Sequence, residues 1–226
     1  MKAPLTDDEL EALRRITTPT IANAIETFNV RLRNEGFMDS TIRCIFPELG
    51  AMAGYAATAK ITARERSEKA VPPSELWEAI EKLPRPRVVV IEDLDYPRPV
   101  GSYWGEVNGS IYQGLGCAGA VTNGGVRDLD EVRAAGFQFF ASCVLVSHAY
   151  VHLVEVGSPV TVGGLTVRTG DLLHGDQHGV ISIPLEIARE LPKAAEEVER
   201  RERPIIEFAR SPEFSAEGLR RMFERR

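Results

Sequence analysis

The chain has no apolar run long enough to cross a bilayer, no CxxC pair, no internal repeat and no low-complexity stretch. With no basic-plus-apolar leader either, the expectation is a cytoplasmic protein with no membrane partner. Cysteine is scarce. Cys44, Cys117 and Cys143 are odd in number and far apart, which argues against a disulfide frame or zinc site and for buried thiols in a reducing compartment. Positive charge is also short: 27 Lys and Arg stand against 33 Asp and Glu, a formal net charge of −6, so no nucleic-acid partner is expected. What the 226 residues do hold is ordinary globular stock, 43% hydrophobic and 27% charged, enough for one domain (1–226) with a proper core.

Thr6-Asp7-Asp8-Glu9 reads as a capping box opening a helix with Leu10, Leu13 and Ile16, and Thr18-Pro19 restarts a helix carrying Ile21, Ala24, Ile25 and Phe28. These form a helical N-terminal cover over about 1–30. Gly54 to Ile61 reads as a strand and Ser74 to Leu83 as a capped helix. Val88 to Ile91, four β-branched residues in a row, suits a strand covered on both faces, with Glu92-Asp93 marking the sheet edge. A helix from about Trp104 to Leu115, a strand Gly119–Thr122, a turn at Asn123-Gly124-Gly125, a helix Leu129–Ala135 and a strand Phe137–Ala141 follow. That alternation implies an α/β core. Val144–Val156, Pro159–Val162, Leu165–Val167 and Val180–Ile183 read as short β segments, a β-rich half packed on the α/β half. A charged helical tail over about 184–226 is interrupted by Pro192 and Pro204.

Two stretches can carry chemistry. Asn123-Gly124-Gly125-Val126-Arg127-Asp128 lies between a strand and a helix, where open α/β sheets place ligand loops. Its glycines allow close backbone approach, Arg127 offers a fork that matches a carboxylate, and Asp128 is a hard oxygen ligand. The bland alternative makes this a turn with Asp128 as the N-cap of the next helix, and the dipeptide alone does not decide between them. In the second stretch, Tyr103 to Gly109, the chain enters a helix whose first backbone N–H groups suit an anion. There Glu106 is either a metal orienter or a first-turn acid favoured by the helix dipole.

Taken together, Trp104-Gly105-Glu106, Gly119-Ala120-Val121, the turn NGGVRD, Gly170-Asp171-Leu172-Leu173-His174-Gly175-Asp176 and Gly179-Val180 resemble the RraA-like family. That family includes 4-hydroxy-4-methyl-2-oxoglutarate aldolases, oxaloacetate decarboxylases and the regulator of ribonuclease E activity. The resemblance runs from about Thr18 into the C-terminal helices, and its most specific feature is the 22 residues from Gly105 to Arg127. It implies a swivelling β/β/α three-layer sandwich with helical terminal segments, assembled as a homotrimer or homohexamer. It further implies a divalent-metal-dependent lyase that cleaves a carbon–carbon bond of a small 2-oxo acid. Gly105, Glu106, Val107 and Asn108 would hold substrate, Arg127 would bind it and stabilise the enolate oxygen, and Asp128 would anchor Mg2+ or Mn2+. Glu106, and Glu202 from a neighbouring subunit, are further metal candidates. Asn108 and Asn123 stand where the family usually has leucine and aspartate.

All four histidines, His148, His152, His174 and His178, fall in one stretch. His174, Asp176 and His178 would share a face if the segment were extended, although Gly175 and Gly179 read as turns. Asn123, His174, Asp176 and His178 are therefore carried only as lining of the pocket. The rival functions are a non-catalytic regulatory binding protein of the same fold and a histidine-dependent metal hydrolase.

Overall fold

The computed structural model describes residues 4–224, so the first three and last two residues of the expected cover and tail lie outside the described residues. In chain order the elements are α1 (Asp7–Arg14), α2 (Thr18–Glu26), β1 (Arg43–Cys44), β2 (Met52–Thr62), α3 (Pro73–Glu81) and β3 (Arg87–Asp93). Then come α4 (Glu106–Gly114), β4 (Cys117–Thr122), β5 (Gly125–Val126), α5 (Leu129–Ala135), β6 (Gln138–Ala141) and β7 (Cys143–Val144). The chain continues through β8 (His152–Val156), β9 (Val160–Val162), β10 (Leu165–Val167), β11 (Leu172–Asp176), β12 (Gly179–Ile183), α6 (Leu191–Arg210) and α7 (Ala216–Glu224).

The local rules explain the ends of the first helices. Thr6 and Glu9 form the complete capping box of α1, and α2 starts at Thr18 with Pro19 in its first turn, as expected, while Thr17 supplies the cap to the Thr20 N–H. By contrast α3 has no side-chain cap: Pro72 takes the N-cap position and Pro73 follows it, so Ser74 lies inside the helix.

One sheet dominates, in the order β1-β6-β4-β3-β2-β11-β12, with β8 also on β2. Strands β2, β3, β4 and β6 run parallel, as the alternation of strand and helix requires. The long β2 is paired on its other edge by β11 along Met52–Tyr55 and by β8 along Ala59–Thr62. The expected β-rich half is therefore not a separate layer, since β8, β11 and β12 extend the same sheet. Glu92-Asp93 lies at the end of the sheet as expected, although the pair forms the last two residues of β3 rather than following it. Phe37 bridges to Ile181 of β12 while β1 pairs with β6, so a short segment joins the two margins and the sheet is nearly closed.

Alternation along the strands sorts the core. Val88, Val90, Val121, Phe140, Leu173 and Val180 face inward and are covered by Val160, Val162 and Val167 of the β9–β10 hairpin. Val89, Ile91, Ala120 and Phe139 face outward under Leu76 and Ile80 of α3, Tyr112 of α4 and Val132 of α5. Tyr55, Leu172, Ile181 and Ile183 face outward under α1, α2 and α6. Hairpin, sheet and helices make the three layers of a β/β/α sandwich with helices at both termini. Val88 to Ile91 are fully buried, each contributing about 1.5–3 kcal/mol of apolar transfer.

Two sequence expectations fail for identifiable reasons. Gly175 does not turn the chain but sits within β11, where a Cβ would lie 2.8 Å from the Phe140 ring, so the glycine makes room for an aromatic across the core. Pro204 does not interrupt the tail: α6 runs continuously through it, with Pro192 accommodated in the first turn.

Candidate active site

The two suspected stretches meet. Trp104 bridges Val126 in parallel, and the Arg127 N–H donates to the Trp104 carbonyl at 3.1 Å. Ser102 locks the junction, its hydroxyl oxygen lying 2.7 Å from the carbonyl oxygens of both Trp104 and Gly125, between which its one hydrogen is shared. These contacts place the start of α4 beside the Arg127-Asp128 dipeptide in an open cleft of about 240 Å³. Ser102, Tyr103, Gly105, Val107, Asn108, Arg127, Asp128, His148 and Val151 line it.

Asp128 resolves the alternative left open by the sequence. It holds the N-cap position of α5 but makes no side-chain cap, and its backbone is left-handed, φ 53°. A non-glycine residue there carries local strain. The carboxylate instead turns to the start of α4, where Oδ2 accepts the Glu106 N–H at 3.0 Å and lies 3.5 Å from Arg127 Nε. Gly105 is what permits this approach, since a Cβ there would clash with Oδ2. The Val107 and Asn108 N–H groups are left without intrahelical acceptors at the helix start. Arg127 and Asp128 side chains are about one-third exposed, Glu106 is exposed, and Asn108 Nδ2 is committed to the Tyr103 carbonyl at 2.6 Å. The cleft thus offers a guanidinium, a carboxylate and two free backbone donors to one small ligand.

Other sequence candidates lie elsewhere. Asn123 does not line this cleft; its amide clamps the Asp93 backbone, accepting at 2.6 Å and donating at 3.2 Å, and it faces a different hollow with Asp39, Glu92 and Thr161. Asp93 beneath it is buried with one carboxylate oxygen unpaired, and desolvation pushes its pKa up to about 6. His174, Asp176 and His178 are gathered, but at the seam between β11 and α2, since β11 joins the sheet on the far side of β2 from β4. His174 is wholly buried, its Nδ1 is 3.0 Å from the Thr18 hydroxyl, and Nε2 has no hydrogen-bond partner. Burial drives its pKa down to about 4, against the favourable pull of Asp176. Asp176 accepts from the Thr18 N–H at 2.9 Å and from the His178 N–H at 2.8 Å. Burial pushes its pKa up, but these donors outweigh that and leave it below the usual range. This cluster fastens α2 to the sheet away from the cleft: His174 is enclosed, Asp176 edges a separate open hollow with Arg14, Thr17 and Gln177, and His178 is exposed. Glu202 is exposed on α6, which packs on α1, α2 and α7 and contributes nothing to the cleft of its own chain.

Among the described residues no group of three or more His, Cys, Asp or Glu side chains could hold a metal ion, and no helix is long and apolar enough to cross a membrane. His148 is the cleft residue that sequence reasoning missed. It lies in an irregular segment with no periodicity, and only its place among the four histidines hinted at it.

A three-layer β/β/α sandwich with a cleft built from a helix start and an Arg-Asp pair defines a structural class. Within that class the chain belongs to the RraA-like family, described as Aldolase/RraA, which matches residues 18–182. It is 31% identical over 96 residues to "Putative 4-hydroxy-4-methyl-2-oxoglutarate aldolase" of Halalkalibacterium halodurans, covering 40% of this chain and 46% of that protein. Matches to the curated relatives cover 18% to 59% of their length. Among solved structures, an uncharacterized protein from Pseudomonas syringae pv. tomato aligns with TM-score 0.73 at 24% identity, covering 97% of this chain and 96% of that one. Streptomyces coelicolor RraAS2, described as an unusual member of the RNase ES inhibitor RraA protein family, aligns with TM-score 0.70 at 21% identity, covering 90% and 98%. At these identities the structural likeness speaks for the fold.

Proposed function

We propose that the protein is a carbon–carbon lyase for small 2-oxo acids, cleaving by retro-aldol reaction, by decarboxylation of oxaloacetate, or both. The observation that carries this reading is the convergence of Arg127, Asp128 and the free N–H groups of Val107 and Asn108 on one cleft. A 2-oxo acid presents a carboxylate and an adjacent carbonyl, and its cleavage builds negative charge on that carbonyl oxygen. Backbone donors at a helix start suit the carboxylate, and a guanidinium suits the developing oxyanion.

The donor set fits a divalent ion of the hard, water-retaining kind. Magnesium uses one or two protein carboxylates and fills its remaining positions with water and substrate, so the lack of a three-ligand cluster is compatible with it. Asp128, with Glu106 beside it, would hold Mg2+ or Mn2+, and Glu202 of a neighbouring copy would complete the shell. Such an ion, when bound, supplies Lewis-acid polarisation of the 2-oxo group. Within the chain, Arg127 neutralises the enolate oxygen, and Gly105 keeps Asp128 and the α4 start in register. No lysine lies in the cleft, so a Schiff base is not invoked. The reading includes assembly as a homotrimer or homohexamer, in which exposed Val107, Val144, Val146 and Tyr150 would be covered.

A second reading, a non-catalytic regulator that docks on a protein partner, is favoured by one surface observation: Val146, two residues before His148 in the chain, is 97% exposed. The description of RraAS2 within a ribonuclease-inhibitor family is compatible with it. The deciding test is pyruvate release from oxaloacetate and from 4-hydroxy-4-methyl-2-oxoglutarate, with Mg2+, Mn2+ or EDTA, in wild type and Arg127→Ala. Metal-dependent release lost in the variant supports the lyase. No release from either substrate, together with divalent-ion binding that Asp128→Ala abolishes, supports the regulator.

A further inference from the structure

We infer that His148 is the proton-carrying group of the cleft, the base that takes the substrate hydroxyl proton in retro-aldol cleavage. The inference rests on the lyase reading and adds to it the one chemical function that the Arg127-Asp128 side does not supply. A guanidinium is always protonated and cannot act as a base, and Asp128 is engaged by the Glu106 N–H and by Arg127.

His148 stands in the cleft lining together with Arg127, Asp128 and the start of α4. Its Nδ1 lies 2.8 Å from the Ala149 carbonyl. A carbonyl can only accept, so Nδ1 carries the hydrogen, and in the neutral ring Nε2 is left with a free lone pair. No hydrogen bond engages Nε2 among the described residues. In a solvated loop such a ring contact is ordinary, but this loop is held from several sides. Ser102 N–H donates to the Ser147 carbonyl at 2.9 Å, and Ala149 N–H to the Ser147 hydroxyl at 2.9 Å. Val151 N–H donates to the His148 carbonyl at 3.0 Å, and Tyr150 N–H to the Ala63 carbonyl at 3.2 Å. Gly101 presses on the His148 backbone so closely that any Cβ there would clash with its carbonyl. Ala149 is held at φ 45°, a left-handed conformation that a non-glycine residue keeps only when its surroundings impose it. Ser102 therefore ties both walls together, locking Trp104 and Gly125 on one side and the histidine loop on the other.

The step balances within the substrate and this ring. Nε2 takes the proton of the 4-hydroxyl, the C3–C4 bond breaks as the C4 carbonyl forms, and the electron pair passes to C3 as a pyruvate enolate. Return of the proton to C3 releases the second pyruvate and restores the neutral ring. Decarboxylation of oxaloacetate makes the same enolate by losing CO2, with no hydroxyl proton to remove. That enolate takes its C3 proton from solvent water, so His148 is required by the retro-aldol reaction and not by the decarboxylation.

The test compares His148→Gln with wild type on both substrates. We expect the retro-aldol kcat to fall about 10²–10⁴-fold with KM within about threefold, and oxaloacetate decarboxylation to stay within about threefold. Added imidazole is expected to restore retro-aldol turnover in His148→Ala, which a merely structural role would not allow. Unchanged retro-aldol kcat, or equal loss of both reactions, overturns the assignment and leaves the lyase reading standing. Wild type that decarboxylates but never cleaves the hydroxy acid does the same. Wild type that turns over neither substrate brings down both.

Discussion

The protein holds two polar clusters that look alike in sequence and differ in everything that matters for chemistry. Around Asp128 the side chains are partly exposed, one residue is strained, and donors are left over for a ligand. Around His174 the side chains are buried and mostly spent on one another, through Thr18 and Asp176. A cleft that binds leaves hydrogen-bonding capacity unused, whereas a seam that holds a helix down uses most of it, here all but His174 Nε2. The contrast separates a candidate catalytic site from a structural fastening without reference to residue type.

The largest effect expected is from Arg127→Ala. It should lower kcat/KM for pyruvate release about 10²–10³-fold, as loss of one oxyanion-stabilising group does, while the melting temperature moves little. A large fall in Tm with preserved activity would reverse the comparison. Acid should then expose the seam. Because the folded His174 has its pKa near 4 rather than 6.5, the unfolded chain takes up the proton first as pH falls. Stability from this group is therefore full above about pH 6.5 and lost between there and pH 4, by up to about 3 kcal/mol. Asp93 works with the opposite sign: raised to about 6, it favours the folded state at low pH and loses that contribution as pH rises from its ordinary value through 6. Chemical denaturation of wild type and His174→Asn across pH 4 to 7 isolates the histidine as the difference between the two curves. Parallel curves would break the assignment.

Gly105→Ala should cost about 10-fold or more in turnover, because a Cβ forces Asp128 off the α4 start, with little change in global stability. Smallest is Thr18→Val, which removes the hydroxyl facing His174 and keeps the N–H held by Asp176. It should destabilise by about 1 kcal/mol in urea titration and leave turnover per folded molecule unchanged.

Much of this was legible in the chain. The capping box, the buried run at Val88 and the helix stopped at Gly136 all depend on near neighbours, and all lead to elements that form. What escaped depends on partners distant in sequence. Gly175 reads as a turn until Phe140 fills the space above it. Asn123 reads as pocket lining until Asp93 claims both ends of its amide. His148 carries no local signal, because its position comes from Gly101, Ser102 and Ala63, each far from it along the chain.

Strand β2 draws these places into one mechanical unit. Its upper half holds β8, which follows the His148 loop, and its lower half holds β11, which carries His174. Ala53, Gly54, Ala56, Ala57 and Ala59, all small and buried, keep much of this strand thin between the larger Met52, Tyr55 and Ile61, so the layers above and below it approach closely there. At Gly54 an added methyl group would lie 2.8 Å from the Pro86 carbonyl oxygen, against the start of β3. The same gauge that lets the hairpin and the helices come close thus leaves this strand far less room to vary than the loops that do the chemistry.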